Sequence, residues 1–218
     1  MTTITMDFER SERCGISEAV YCEGKDADQI LAILTLAREN QQRLLLTRLS
    51  EEKYQQLPEQ EKNQLKGFPI AQCAVLGDLF PPILPASIGI VSGGASDRRV
   101  CEEIQLTLHF HGIACGLHQD LGVAGLWRIQ QQLEQLRRYK IIIAVAGMEA
   151  ALPTVIAGLV RAPVIAVPTS VGYGIAAGGH VALNACLASC AGGVMTMNID
   201  NGYGAAAAAI RIYRQIIL

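Results

Sequence analysis

Five short apolar runs punctuate the second part of the chain, at residues 88–91, 113–117, 141–146, 164–167 and 193–198. The runs IIIAVA (141–146) and VIAV (164–167) contain no polar position at all. Continuous apolar runs of that length fit strands buried on both faces of a parallel sheet better than strands with one wet face. Helix-length segments separate them, reaching about His111 and about Tyr139 after the first two runs. An Ala-rich helix closes the chain at Leu218. Five strand–loop–helix units in succession predict a doubly wound parallel α/β sheet.

The first part of the chain is patterned differently. Residues 19–21 form a short apolar piece, and Gly24-Lys25-Asp26 turns into a helix over 27–39 with Ile30, Leu31, Ile33, Leu34 and Leu36 on one face. Residues 44–47 read as a strand, and Ser50 caps a short polar helix. Residues 55–66 have little apolar periodicity and are read as exposed. Three prolines within 79–85 mark a domain boundary. The expected division is a small N-terminal α/β domain over 1–84 and a larger α/β domain over 85–218.

Each βα loop of the larger domain carries glycine, and each has Ser, Asp or Glu close to it. The groups are Gly93, Gly94, Ser96 and Asp97; Asp120 to Gly125; Gly147 and Glu149; Thr169, Ser170, Tyr173 and Gly174; and Asp200, Asn201 and Gly202. Glycine lets backbone N–H groups approach an anion, and each following helix offers its positive end. Tight α/β turns use glycine in any case. Five such loops on one sheet edge nevertheless point to a ligand bearing phosphate or carboxylate. Neither a G-x-G-x-x-G nor a P-loop pattern is present.

Composition narrows the classes. Half of the 218 residues are hydrophobic and 17% are charged, which leaves little polar surface and favours a homo-oligomer. A net charge of −2 and a pI near 6.1 give no reason to expect nucleic acid. The apolar tracts are interrupted by Glu149, Pro153, Arg161 and Pro163, so no membrane span is expected. The first residues are polar, without a signal-peptide pattern. Seven cysteines without CxxC pairs fit neither a zinc ribbon nor a disulfide framework. Free thiols in a reducing cytoplasm are the simpler expectation.

Single residues leave alternatives open. Glu149 directly follows a buried strand, where a carboxylate needs a partner, so an acid, base or metal-ligand role competes with helix capping. Ser96 and Asp97 suit helix capping, and Asp200 suits a turn. Cys190 closes an Ala-rich helix, where a small core residue is the usual outcome and a nucleophile the exception. Cys186 fits core packing better still. Arg10, Arg13 and Lys25 form either a solvated face or a phosphate clamp. The four histidines show no metal-ligand spacing.

The blocks GGASD, DLGVAGLWR, VAGMEAALPTVIAGLV, APVIAVPTSVGYG, LASCAGGV and NIDNGYGAA together resemble the LarB family. The likeness extends into the first domain through Arg10, Arg13, Gly15, Glu18, Gly24 and Lys25. It implies a pyridinium-3,5-biscarboxylic acid mononucleotide synthase acting in nickel-pincer cofactor assembly. Its C-terminal domain would be flavodoxin-like and similar to the aminoimidazole ribonucleotide carboxylases and mutases, forming octamers. The implied reactions are carboxylation of nicotinic acid adenine dinucleotide at pyridinium C5 and hydrolysis of its phosphoanhydride, releasing AMP. Carbon dioxide or bicarbonate is the implied co-substrate and magnesium the implied metal, with no organic cofactor.

By the same motif matches, Cys190 supplies the thiolate, and Glu149 serves proton transfer or magnesium-assisted cleavage. Ser96, Asp97, Thr169, Ser170 and the glycine loops hold the nicotinate mononucleotide half. Arg10, Arg13 and Lys25 lie near the dinucleotide. Two departures stand out: Arg98-Arg99 where the family usually has Leu-Pro, and Trp127 where it commonly has His. These departures keep two other outcomes in view, a carboxylase or mutase acting on an aminoimidazole ribonucleotide and a catalytically silent nucleotide-binding subunit.

Overall fold

The computed structural model describes residues 4–217, and the chain divides between Phe80 and Pro81 into two compact units. The first contains α1 (Arg10–Cys14), β1 (Ala19–Tyr21), α2 (Ala27–Glu39), β2 (Leu44–Thr47), α3 (Glu51–Gln56), α4 (Glu59–Lys62), β3 (Leu65–Phe68) and β4 (Cys73–Leu76). Its four strands lie in the order β1-β2-β4-β3, with β1 parallel to β2 and the other pairs antiparallel. Asp26 and Gln29 form a reciprocal capping box that starts α2. Helix α2 then buries Ile30, Ile33, Leu34 and Ala37 in a core shared with Leu44, Leu46 and Ala74.

Residues 55–66 are not the exposed segment that their pattern suggests. Leu57 and Leu65 are buried, and so is Glu61, whose carboxylate accepts from Arg38 Nη1 at 2.6 and 2.8 Å. A buried carboxylate is tolerated where a guanidinium is paired with it, and sequence periodicity does not reveal that pairing.

The second unit contains β5 (Ile83–Ser92), α5 (Arg98–Phe110), β6 (Ile113–His118), α6 (Leu126–Leu136), β7 (Ile141–Ala146), α7 (Ala151–Ala157), β8 (Val164–Pro168), α8 (His180–Leu187), β9 (Val194–Thr196) and α9 (Gly202–Ile217). The sheet order is β6-β5-β7-β8-β9, and every pairing is parallel. This is a flavodoxin-like arrangement, with its topological switch point between β5 and β7. Every residue of β7 and β8 is buried, which explains their unbroken apolar sequence.

Helices cover both faces. On one side Ile129 and Leu136 of α6, Leu152 and Ile156 of α7, and Ala182 and Cys186 of α8 pack against Ile142, Ala144 and Val164. On the other side α5 and α9 pack on each other and on the sheet, burying Ala205, Ala206, Ala209 and Ile210. A clasp joins β6 to α6. His118 Nδ1 donates to Gln132 Oε1, and His118 Nε2 accepts from the Tyr139 hydroxyl at 2.9 Å.

Candidate active site

A cavity of about 310 Å³ opens at the C-terminal edge of the parallel sheet. Its walls come from the loops after β5, β6 and β7, with Val171 from the loop after β8. It therefore lies at the switch point, where open α/β sheets bind ligands. Gly93, Gly94, Ser96, Asp97, Gly147 and Glu149 all line it. Val123 and Ala124, from the Asp120–Gly125 loop, and Met148, between Gly147 and Glu149, also contribute.

Two carboxylates grip consecutive residues of the loop after β8. Asp97 accepts from Thr169 Oγ1 at 2.7 Å and from the Gly94 N–H at 3.0 Å. Asp200 accepts from the Ser170 hydroxyl at 2.7 Å and from its N–H at 3.0 Å. Asp97 is 3% exposed, and burial pushes its carboxyl above the ordinary value, although the bonds from Thr169 and Gly94 oppose this. The charge of Asp200 adds to the rise. The Asp97 side chain makes no capping bond to α5, turning instead to Gly94 and Thr169, and Asp200 does more than form a turn.

Glu149 is exposed at the cavity wall, not buried behind the strand. The expected burial penalty is absent because the loop after β7 turns outward. Its backbone is strained at two positions: Met148 and Ala150 have φ of 54° and 45°. Gly147 permits the turn, since a Cβ there would collide with the Val171 carbonyl oxygen and press on Thr169 Oγ1. Asp120 and Asp200 also adopt positive φ at this edge.

Other residues named from sequence lie apart from the cavity wall. Asn201 Oδ1 accepts from the Gly204 N–H at 2.8 Å at the start of α9. Tyr173 is 78% exposed, and a Cβ at Gly174 would meet nothing within 4 Å, so both belong to an open loop. Arg10, Arg13 and Lys25 lie in the first unit. Arg13 pairs with Asp7 at 2.5 Å, and Lys25 donates to the Tyr21 carbonyl at 3.0 Å. Lys25 also lines a separate cavity there with Glu18, Gly24 and Gln29.

Cys190 differs from its expected setting. Helix α8 ends at Leu187, and Cys190 lies beyond it, exposed, in the loop that enters β9. Ser189 Oγ is 2.7 Å from Thr154 Oγ1 and accepts from the Ala191 N–H at 3.2 Å, fixing both sides of the cysteine. The entry to a parallel strand is at the sheet edge opposite its exit, so Cys190 and Glu149 occupy opposite edges of one chain. In contrast, burial raises Cys22 and Cys101 to about 12 and Cys115 and Cys186 to about 11.

Among the described residues no group of three or more His, Cys, Asp or Glu is placed to hold a metal ion. Of the two carboxylates lining the cavity, Asp97 is already engaged by Thr169 and Gly94, so Glu149 is the one that would be offered to a magnesium ion. No helix among the described residues is long and apolar enough to cross a membrane.

Comparison with known proteins agrees with this architecture. The AIR carboxylase family matches residues 87–215, and the LarB/PurE-like N-terminal domain matches residues 1–77. An uncharacterized protein of Methanocaldococcus jannaschii is 36% identical over 211 residues, covering 93% of this chain and 80% of that protein. The matched domains support a carboxylase-type enzyme. The chain belongs to the LarB family, with a LarB/PurE-like domain joined to a C-terminal AIR carboxylase domain.

Proposed function

We propose that this protein carboxylates nicotinic acid adenine dinucleotide at pyridinium C5 and hydrolyses its phosphoanhydride, giving pyridinium-3,5-biscarboxylic acid mononucleotide and AMP. The observation that carries this reading is the union of a LarB/PurE-like domain with a carboxylase domain whose one exposed, braced cysteine is Cys190. An aminoimidazole ribonucleotide is already nucleophilic and needs no thiol. A pyridinium ring is electron-poor and does.

The Cys190 thiolate adds to a ring carbon, forming a C–S bond and placing the electron pair in an enamine. The enamine carbon at C5 attacks carbon dioxide, and a C–C bond forms. Loss of the C5 proton to a base and departure of the thiolate restore the aromatic ring. The ring has then exchanged a proton for a carboxylate, and the cysteine is regenerated. Glu149 is the proton acceptor on the cavity wall. Water cleaves the phosphoanhydride, so AMP and the mononucleotide leave as separate phosphates.

The cavity volume is at the small end of ligand sites, suited to the nicotinate mononucleotide half. Because Cys190 is at the far sheet edge, its thiol reaches the ring from a second copy of the chain, which makes the working enzyme a homo-oligomer. Incubation with the dinucleotide and bicarbonate should release AMP and the dicarboxylated mononucleotide, with a covalent ring adduct on Cys190 by mass spectrometry. Retention of full carboxylase activity in Cys190→Ala would overturn the reading in favour of thiol-free chemistry.

A further inference from the structure

The two arginines that open α5 have different fates. Arg98 Nε reaches back to Glu102 at 2.6 Å, an exposed i,i+4 pair on the helix's own surface. Arg99 reaches across to Asp200, with Nη2 3.0 Å from Oδ2. That ion pair is partly withdrawn from water, with the side chains 27% and 13% exposed. The same carboxylate holds Ser170 by both its hydroxyl and its N–H.

A closed circuit results. Asp97 and Arg99 leave the same turn at the start of α5; Asp97 holds Thr169, and Arg99 holds Asp200, which holds Ser170. Thr169 and Ser170 are adjacent, and Val171, the next residue, forms the cavity wall and accepts from the Met148 N–H at 2.8 Å. Two carboxylates therefore flank this edge, and an uncompensated second negative charge would oppose any anionic ligand. Asp200 also supports the loop geometry, so it cannot simply be dispensed with. An arginine is suited to neutralise it without a change of protonation state.

We propose that Arg99 is a positioning residue for an anionic ligand: by pairing with Asp200 it fixes the Thr169–Ser170 segment that carries the Val171 wall and keeps that edge receptive to phosphate. It acts through Asp200, so its contribution is to ligand affinity rather than to the chemical step. The residue was visible in the sequence as a departure from the usual Leu-Pro; the structure assigns it a partner. The identity of the ligand rests on the functional reading above, whereas the placement of Arg99 rests on geometry alone.

The test compares Arg99→Met, Arg99→Lys and, as a control, Arg98→Met by calorimetric titration with nicotinic acid adenine dinucleotide and by steady-state kinetics. Arg99→Met should weaken binding and raise KM by about tenfold, in line with loss of one charge-assisted contact, with kcat changed less than about twofold. Arg99→Lys should recover most of the affinity, and Arg98→Met should match the wild type. A loss confined to kcat, or a lysine variant no better than methionine at equal thermal stability, overturns the proposal. Wild-type protein that binds the dinucleotide without forming product refutes the reaction while the calorimetric comparison still judges Arg99. Wild-type protein that binds neither the dinucleotide nor inorganic phosphate refutes the anion role itself.

Discussion

The two edges of the parallel sheet are built on opposite principles. At the C-terminal edge, backbone and side chains are tied together: Asp97 to Thr169, Asp200 to Ser170 and Arg99, with strained turns at Met148 and Ala150. At the N-terminal edge, Cys190 sits exposed on a short loop braced through the Ser189 hydroxyl, which contacts Thr154 and accepts from the Ala191 N–H. The first edge is a braced cavity wall, and the second leaves a thiol exposed. Under the proposed function the first edge binds and the second attacks, so each can be broken without the other.

The largest expected effect lies at the second edge. Cys190→Ala should lower carboxylation by about 10³-fold or more while dinucleotide binding by calorimetry stays near the wild-type value. Glu149→Gln should cost about 10²-fold in turnover, read from AMP and product formation. Coexpression of these two inactive chains should restore part of the lost activity if the edges of different copies meet, and none if they do not.

Stability probes the first edge. Gly147→Ala should destabilise the fold by about 1–3 kcal/mol in urea titration, because the new methyl would collide with the Val171 carbonyl oxygen and lie 2.7 Å from Thr169 Oγ1. Asp97→Ala leaves the Thr169 hydroxyl and Gly94 N–H without their acceptor and should lose a similar ~1–3 kcal/mol.

The pH signature is smaller. Asp97 has a folded-state value raised above its unfolded one, so the folded form holds the proton more firmly. Its relative contribution to stability is then present below the unfolded value and lost as pH rises through the raised folded value. Asp97→Asn should flatten that acid slope in unfolding measured across pH. Alkylation gives the mildest contrast: Cys190 should label first near neutral pH, with Cys22 and Cys101 last, as mass spectrometry of partial digests would read.

Much of the architecture was legible because burial on both faces leaves a direct trace. IIIAVA and VIAV run as buried central strands, and the glycine-bearing loops marked the edge that carries the cavity. What escaped the pattern has physical reasons. Strands β3 and β4 are short and follow turns, and LKGF does not alternate cleanly. Glu61 is buried only because Arg38, far away in sequence, neutralises it. The grips of Asp97 on Thr169 and of Asp200 on Ser170 span 72 and 30 positions, beyond any local rule. The resemblance, not periodicity, distinguished Cys190, and the structure moved it from a helix end to an exposed loop.

Trp127, the chain's single tryptophan, is 57% exposed on the first turn of α6, immediately after the loop that supplies Val123 and Ala124 to the cavity. Arg128 lies over its ring at 5.6 Å and is itself paired with Asp120. All indole emission from this protein therefore originates beside the cavity. The intrinsic fluorescence is a site-specific optical reporter, native to the chain, for whatever settles or closes there.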